Sequence, residues 1–388
     1  MDKKLHVSKS FKIILVGFII LGLVAIVYGF LTNQTTRTWA NLLQNNFLFL
    51  SIALGGLFWM AIQAITHSGW SAAFVRIPQA MSSYLIVAFV LWGFLFLGMH
   101  DLYHWTSIKD MAQNPVLFHK KPYLNEGFIA VRFIIFFGLW IYLSRRIRSQ
   151  SLKEDKVGGL TYFKKIEFSS KVFIFILGIS FIFFPIDWLM SLDAEWFSTL
   201  FSVKFFISAF YHGSAIIVVF AIILNKLGYF PFLNKGHLHD FSKYIFMLSI
   251  MWGYMWFVQY LLIWYGNLPE ETAYFLIRRQ EGFKLLFLAE IFINWGFPFL
   301  FLMWNRMAKN TTALLIAVAV LLVGQYIEVY NAIFPGTVHH PSFGFIEIGT
   351  FLGFAALFVL VVVISLSKQP LMPKNHPYLT ESINEEDD

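Results

Sequence analysis

The chain has 388 residues, of which 58% are hydrophobic and only 13% charged, with 46 phenylalanines and a formal net charge of +7. That composition excludes a water-soluble globular protein and places the chain among integral membrane proteins. The absence of cysteine excludes disulfides, thiolate-bound iron–sulfur clusters and thioether-linked haem, so any redox cofactor belongs to a partner.

Apolar runs long enough to cross a ~30 Å hydrocarbon core predict ten transmembrane helices, near 12–31, 47–66, 79–99, 126–147, 169–190, 199–225, 243–266, 282–304, 312–333 and 343–367. The first run follows Lys3, Lys4 and Lys9 and could pass for a signal peptide, but its length and lack of a small-residue cleavage site favour a retained helix. Lys and Arg gather in the loops on the N-terminal side, most densely from Arg145 to Lys171. The other side carries Arg37, Lys109, Lys120, Lys121, Arg278, Arg279 and Lys284. By the positive-inside bias both termini are expected in the cytoplasm, with the loops around 100–125, 187–198, 267–281 and 334–342 facing outward. The basic charge is therefore topological and does not point to nucleic acid. The acidic tail from Glu381 to Asp388 reads as disordered, and His237 and His239 as solvated loop residues.

An internal register is visible along these runs. Ser82, Tyr84, Trp92 and Gly93 recur as Ser242, Tyr244, Trp252 and Gly253; downstream, Glu126, Gly127 and Phe128 recur as Glu281, Gly282 and Phe283; upstream, Ser51, Gly55 and Gly56 fall on Ser208, His212 and Gly213. Four helices separate the copies, so they share one orientation. The expected fold is all-α and integral to the membrane. Its parts are a segment over 1–46 with a flanking first helix, four-helix bundles over 47–190 and 191–333, and a flanking tenth helix with the tail over 334–388.

A charge at bilayer depth costs about 2.5 to 3.5 kcal/mol even on the lenient insertion scale, so Arg132, Lys204, Glu290, Glu328 and Glu347 have to face protein or water. At ~1.5 Å per residue, Arg132, Lys204 and Glu347 fall in the outer part of the bilayer. Asp187 and Glu328 fall between its middle and outer rim, and His212, Glu290 and Asn294 near its middle. The cytoplasmic half reads as much poorer in polar side chains, which suggests a cavity that opens outward and ends at mid-membrane. Arg132 and Lys204 either snorkel or pair with Asp187, Glu347 or a neighbour, or else act in function. Lys204, Ser208 and His212 share one helical stripe and either relay protons or, for His212, form a hydrogen-bonded core position. A central Glu290 or Glu328 suits a proton carrier. At the outer end of the third helix, His100, Asp101 and His104 can accept protons near neutral pH, but two nitrogens and one carboxylate are too few for a metal site.

Two outward strings pair aromatics with carboxylates: Asp187, Trp188, Met190, Ser191, Leu192, Trp196, Phe197 and Ser198; and Ile263, Trp264, Tyr265, Asn267, Pro269, Glu270 and Glu271. These strings resemble the second quinone-binding-type membrane subunit of bacterial alternative complex III, a relative of the polysulfide reductase and nitrite reductase membrane anchors. The resemblance implies a subunit, not catalytic alone, of a menaquinol:cytochrome c oxidoreductase in the bacterial cytoplasmic membrane. It implies a paralogous anchor subunit, iron–sulfur and c-type haem subunits and a terminal oxidase as partners, with Trp188, Trp196, Trp264, Tyr265, Glu270 and Glu271 at the interface. Menaquinone or menaquinol and structural lipids are the implied ligands, with no metal ligated by this chain. By position it implies quinol contacts at His100 and Asp101, flanked by His104 and Arg132. Asp187, Lys204, His212, Glu290, Asn294, Glu328 and Glu347 remain as proton-transfer candidates. Two other classes fit the residues: a secondary transporter built of duplicated bundles, and an architectural anchor whose outer loops only dock other proteins.

Overall fold

The computed structural model describes residues 3–107, 114–280 and 282–384; Lys109, Glu281 and the last four residues of the acidic tail lie outside them. Among the described residues ten helices are long and apolar enough to span a membrane. They are α1 Lys9–Leu31, α2 Thr35–Ile65, α3 Ala72–Leu102, α4 Glu126–Val157, α5 Leu160–Trp188, α6 Thr199–Lys226, α7 Lys235–Gly266, α8 Lys284–Leu302, α9 Thr311–Thr337 and α10 Phe345–Ser367. The protein is an all-α, multi-pass membrane protein. Lys4 forms an antiparallel bridge with Pro370, and the Leu371 amide donates to the Lys3 carbonyl, so the two ends meet on one face. That face is called inner below, and the opposite one outer.

α4 runs on to Val157 and α5 starts at Leu160, beyond the expected runs, and two other helices depart from them in ways that bear on the site. α2 begins well before residue 47 because its first turns carry buried Asn41, Asn45 and Asn46, whose polarity hides them from a hydropathy reading. Their amides donate one turn back, and Asn41 and Asn45 also reach Glu347 and Thr350 on α10. α8 is broken by a π turn over Phe292–Gly296 between Lys284–Ile291 and Phe297–Leu302. Pro298 lacks the amide that a regular ladder would need there.

α2 is the axis of the molecule and is buried along nearly its whole length. It packs on α3 and α5 on one side and on α6, α9 and α10 on the other. α2 and α6 touch through backbone: a Cβ on Gly55 would lie 1.8 Å from the Ala209 carbonyl oxygen, and one on Gly213 would lie 2.5 Å from the Gly56 nitrogen. Around this seam α4 packs on α5, α7 and α9 pack on α6, and α8 packs on α7 and α9. α1 stands outside and packs chiefly on α10. A Cβ on Gly22 would meet Gly353 Cα at 2.7 Å, and one on Gly349 would meet Ala25 Cβ at 2.5 Å, as in small-residue seams between membrane helices.

Three expectations for the inner face are corrected. The tail is ordered as far as it is described: a short helix, Leu379–Ile383, buries Ser382, whose hydroxyl donates to the Trp70 carbonyl and accepts from the Ala73 amide. His237 is fully buried rather than solvated, with Nε2 2.8 Å from the Ser382 carbonyl. The inner half is also far from apolar. Arg76 is 4% exposed and is held by Asp155, Gln79 and Ser151, while Arg148 reaches Ser83 and Ser365. Arg76 and Arg148 read as loop charges in sequence because only the folded chain shows that α10 and the tail cover them.

Candidate functional site

α6 supplies one edge of the site. Lys204, Ser208 and His212 follow at one-turn intervals, so their side chains point the same way, toward α8 and α9. From the facing helices come Glu290 and Asn294 of α8 and Glu328 and Asn331 of α9, each pair again about one turn apart. Lys204 Nζ donates to Glu290 Oε1 at 2.8 Å and lies 3.4 Å from Glu328 Oε1. Asn331 Nδ2 donates to the other Glu290 oxygen at 2.7 Å. Glu328 accepts from the Trp252 indole at 3.1 Å through Oε1 and from the Ser208 hydroxyl at 2.5 Å through Oε2. Both carboxylates, Ser208, His212 and Asn294 are at most 3% exposed, so each polar contact is made away from bulk solvent.

The line continues inward. His212 Nδ1 lies 2.8 Å from the Ser208 carbonyl, and Nε2 lies 3.3 Å from Asn294 Oδ1. Asn294 Nδ2 donates to the Gly324 carbonyl at 3.1 Å, which sets the amide so that its oxygen faces the imidazole. The ring is thus set between two acceptors. A neutral imidazole has one N–H and serves one of them, whereas the imidazolium serves both. The π turn places Asn294 there, a common position for such turns at functional sites.

Two carboxylates share one ammonium. Lys204 can neutralise one of them, and a proton on the other would leave the buried cluster without net charge, the arrangement with the smallest desolvation cost. Outward from Lys204 a cavity of about 20 Å³ is lined by Gln259, Tyr274, Arg278, Glu290, Glu328 and Asn331 among others, which is room for about one water. Arg278 closes its outer end. Its guanidinium donates to the carbonyls of Tyr274, Asn331 and Ala332 at 2.9, 2.7 and 3.1 Å and stacks over the Tyr274 ring. Burial raises the Tyr274 hydroxyl above its ordinary pKa against the lowering effect of Arg278 and Lys204, so it stays a donor. Arg278 in sequence is one of several outer basic residues, and nothing local marks its role. Asn331 could have been found, since it follows Glu328 at helical spacing.

The remaining sequence candidates lie elsewhere. Arg132 and Asp187 form a two-bond pair between α4 and α5 at 2.8 and 2.9 Å, with the guanidinium between the Tyr123 and Phe128 rings. Glu347 takes two bonds from Arg37 at 2.7 and 2.5 Å and accepts from the Gly344 amide at the start of α10. Both are clamps between helices and are not joined to the Lys204 line. His100 is largely exposed, 3.5 Å from Glu126, and Asp101 and His104 are exposed as well; none of them lines the Lys204 cavity. Trp188 and Trp196, expected at a partner interface, are instead buried within this chain, 1% and 4% exposed. Trp188 packs on Trp92 and Phe96, and Trp196 stacks on Tyr274 at 4.0 Å, so each covers apolar surface that the outer loops would otherwise expose. Trp264, Tyr265 and Glu270 are exposed at the outer end of α7 and the loop beyond it, and Glu271 is half-buried.

At the register read from the sequence, Lys204 falls on Phe47, whose ring packs on Trp92, Phe181 and Phe184. Trp92, the counterpart of Trp252, has no carboxylate to accept its indole N–H. The polar line of α6, α8 and α9 thus faces an aromatic plug at the corresponding place beside α2. Comparison with protein-family models and with characterised proteins gives no match for this chain.

Proposed function

We propose that this chain is a proton-handling membrane subunit of a menaquinol:cytochrome c oxidoreductase of the alternative complex III type, in a bacterial cytoplasmic membrane with both termini inside. The observation that carries the proton role is the unbroken buried line Asn331, Glu290, Lys204, Glu328, Ser208, His212 and Asn294. Shifting the Lys204 ammonium between Glu290 and Glu328 exchanges which carboxyl needs the proton. With the His212 N–H on Nε2, toward Asn294 Oδ1, the Ser208 hydroxyl gives its proton to His212 Nδ1, 3.2 Å away, as it takes one from Glu328, with no water required between them. The resemblance in the two outward strings supports the respiratory setting, with electron transfer carried by iron–sulfur and haem subunits. Quinol oxidation falls to the paralogous anchor in this reading, since the resemblance assigns the better-supported quinol site to that subunit; His100, Asp101 and His104 are exposed side chains of this chain.

The test is the proton-to-electron ratio of the assembled complex in vesicles. Glu290→Gln and Glu328→Gln, each close in shape to the native residue, are expected to lower the ratio while quinol-driven cytochrome reduction continues. An unchanged ratio in both variants overturns the proposal.

A further inference from the structure

An apolar slot of about 710 Å³ runs between α2, α6 and α10, apart from the Lys204 line. Its deep end is formed by Phe49, Leu322 and Phe351 near mid-membrane, and its mouth by Leu227, Leu366 and the N-terminal segment at His6. From Phe351 to Leu366 the slot follows α10 for roughly 22 Å at ~1.5 Å per residue, somewhat more than half of a ~30 Å hydrocarbon core. The volume lies within the ~300–1,000 Å³ of built ligand sites. His6 and Ser8, the polar side chains among its described lining residues, sit at the mouth. The segment that carries them is pinned across the opening, by the bridge from Lys4 to Pro370 and by the His6 amide donating to the Tyr229 hydroxyl at 3.0 Å.

Charge at the mouth selects the occupant. Lys4, Lys9, Lys226 and Lys368 are exposed and lie within two residues of lining residues in sequence, and among the described residues no Asp or Glu lines the slot. We infer that the slot holds the acyl chains of one anionic diacyl phospholipid from the inner leaflet, with its phosphate among these lysines and Ser8. A prenyl quinone would match the apolar walls, but its uncharged ring offers the ammonium groups only hydrogen-bond acceptors and no counter-charge. A zwitterionic phospholipid would gain less than an anionic one. The inference is independent of the proton role, since the slot shares no residue with the Lys204 cavity.

The full chain, stripped of lipid by detergent exchange, would be returned to vesicles holding equal amounts of phosphatidylglycerol, phosphatidylcholine and menaquinone, then re-extracted and weighed by native mass spectrometry. The expected result is one retained phosphatidylglycerol per chain, preferred over phosphatidylcholine by about tenfold or more. Ala355→Trp with Val359→Trp fills the slot and is expected to abolish retention. Should that variant fail to fold, Lys226→Gln with Lys368→Gln changes only exposed side chains and is expected to erase the preference between the two lipids. Retention of menaquinone in place of lipid, equal retention of both phospholipids by the native chain, retention of none, or native-like retention by the folded filled variant would each overturn the inference. So would an undiminished preference in the lysine variant.

Discussion

Arg132 and Asp187 show what a single buried charge demands in this protein. Each is nearly inaccessible, and each is the other's counterion. Removing one partner of such a pair leaves an uncompensated charge, so Arg132→Met is expected to cost about 3 to 5 kcal/mol. Arg132→Met combined with Asp187→Leu is expected to recover most of that, and thermal unfolding in detergent would measure both. That these charges face protein was legible in the sequence, because lipid exposure is too costly. Their partners were not legible: Arg132 and Asp187 stand 55 positions apart, and Arg37 and Glu347 stand 310 apart, separations no helical spacing encodes. Lys204, Ser208 and His212 were readable as a line because one helix carries all three. Arg278 and Trp252 were missed as members of the site, since they reach it only through the packing of the short outer helix Pro269–Arg278 and of α7.

At the level of helices, glycine decides where backbones meet. A side chain at Gly353 would press into Gly22 Cα, so Gly353→Ile is expected to part α1 from α10 while the seam of α2 and α6 survives. Cysteines placed across the α1 and α10 contact report this cleanly, because the chain has no cysteine of its own; cross-linking should be lost in the Ile variant. Gly324 belongs to the site in the same sense. A Cβ there would lie 2.3 Å from Asn294 Oδ1, so Gly324→Ala is expected to displace the amide from His212 and lower the proton-to-electron ratio without touching a titratable group. The number and order of the spanning helices were legible because hydropathy records them directly. The early start of α2 and the π turn in α8 were not, since buried asparagines and a single proline mimic helix ends until their partners are known.

Across the whole molecule the inner face is a closed assembly of α3, α4, α5, α7, α10 and the tail. His376 lies in it, against Phe163 and Tyr378 and near Arg76. Burial first, and the Arg76 charge second, push its imidazole down from 6.5 to about 4. The folded group therefore resists a proton that the undocked tail would accept. Docking is complete above about pH 6.5 and weakens as pH falls from there toward about 4. Exchange protection of the amides in Leu379–Ile383 should fall over that interval, and His376→Gln should flatten the dependence. The contact between α1 and α10 carries a consequence for biosynthesis. α1 leaves the ribosome ahead of α10 with eight spanning helices between them, so it waits in the bilayer without this partner until α10 emerges. A nascent chain halted before Phe345 would expose the unmet glycine stripe of α1 to quality-control proteases, and only the arrival of α10 would conceal it.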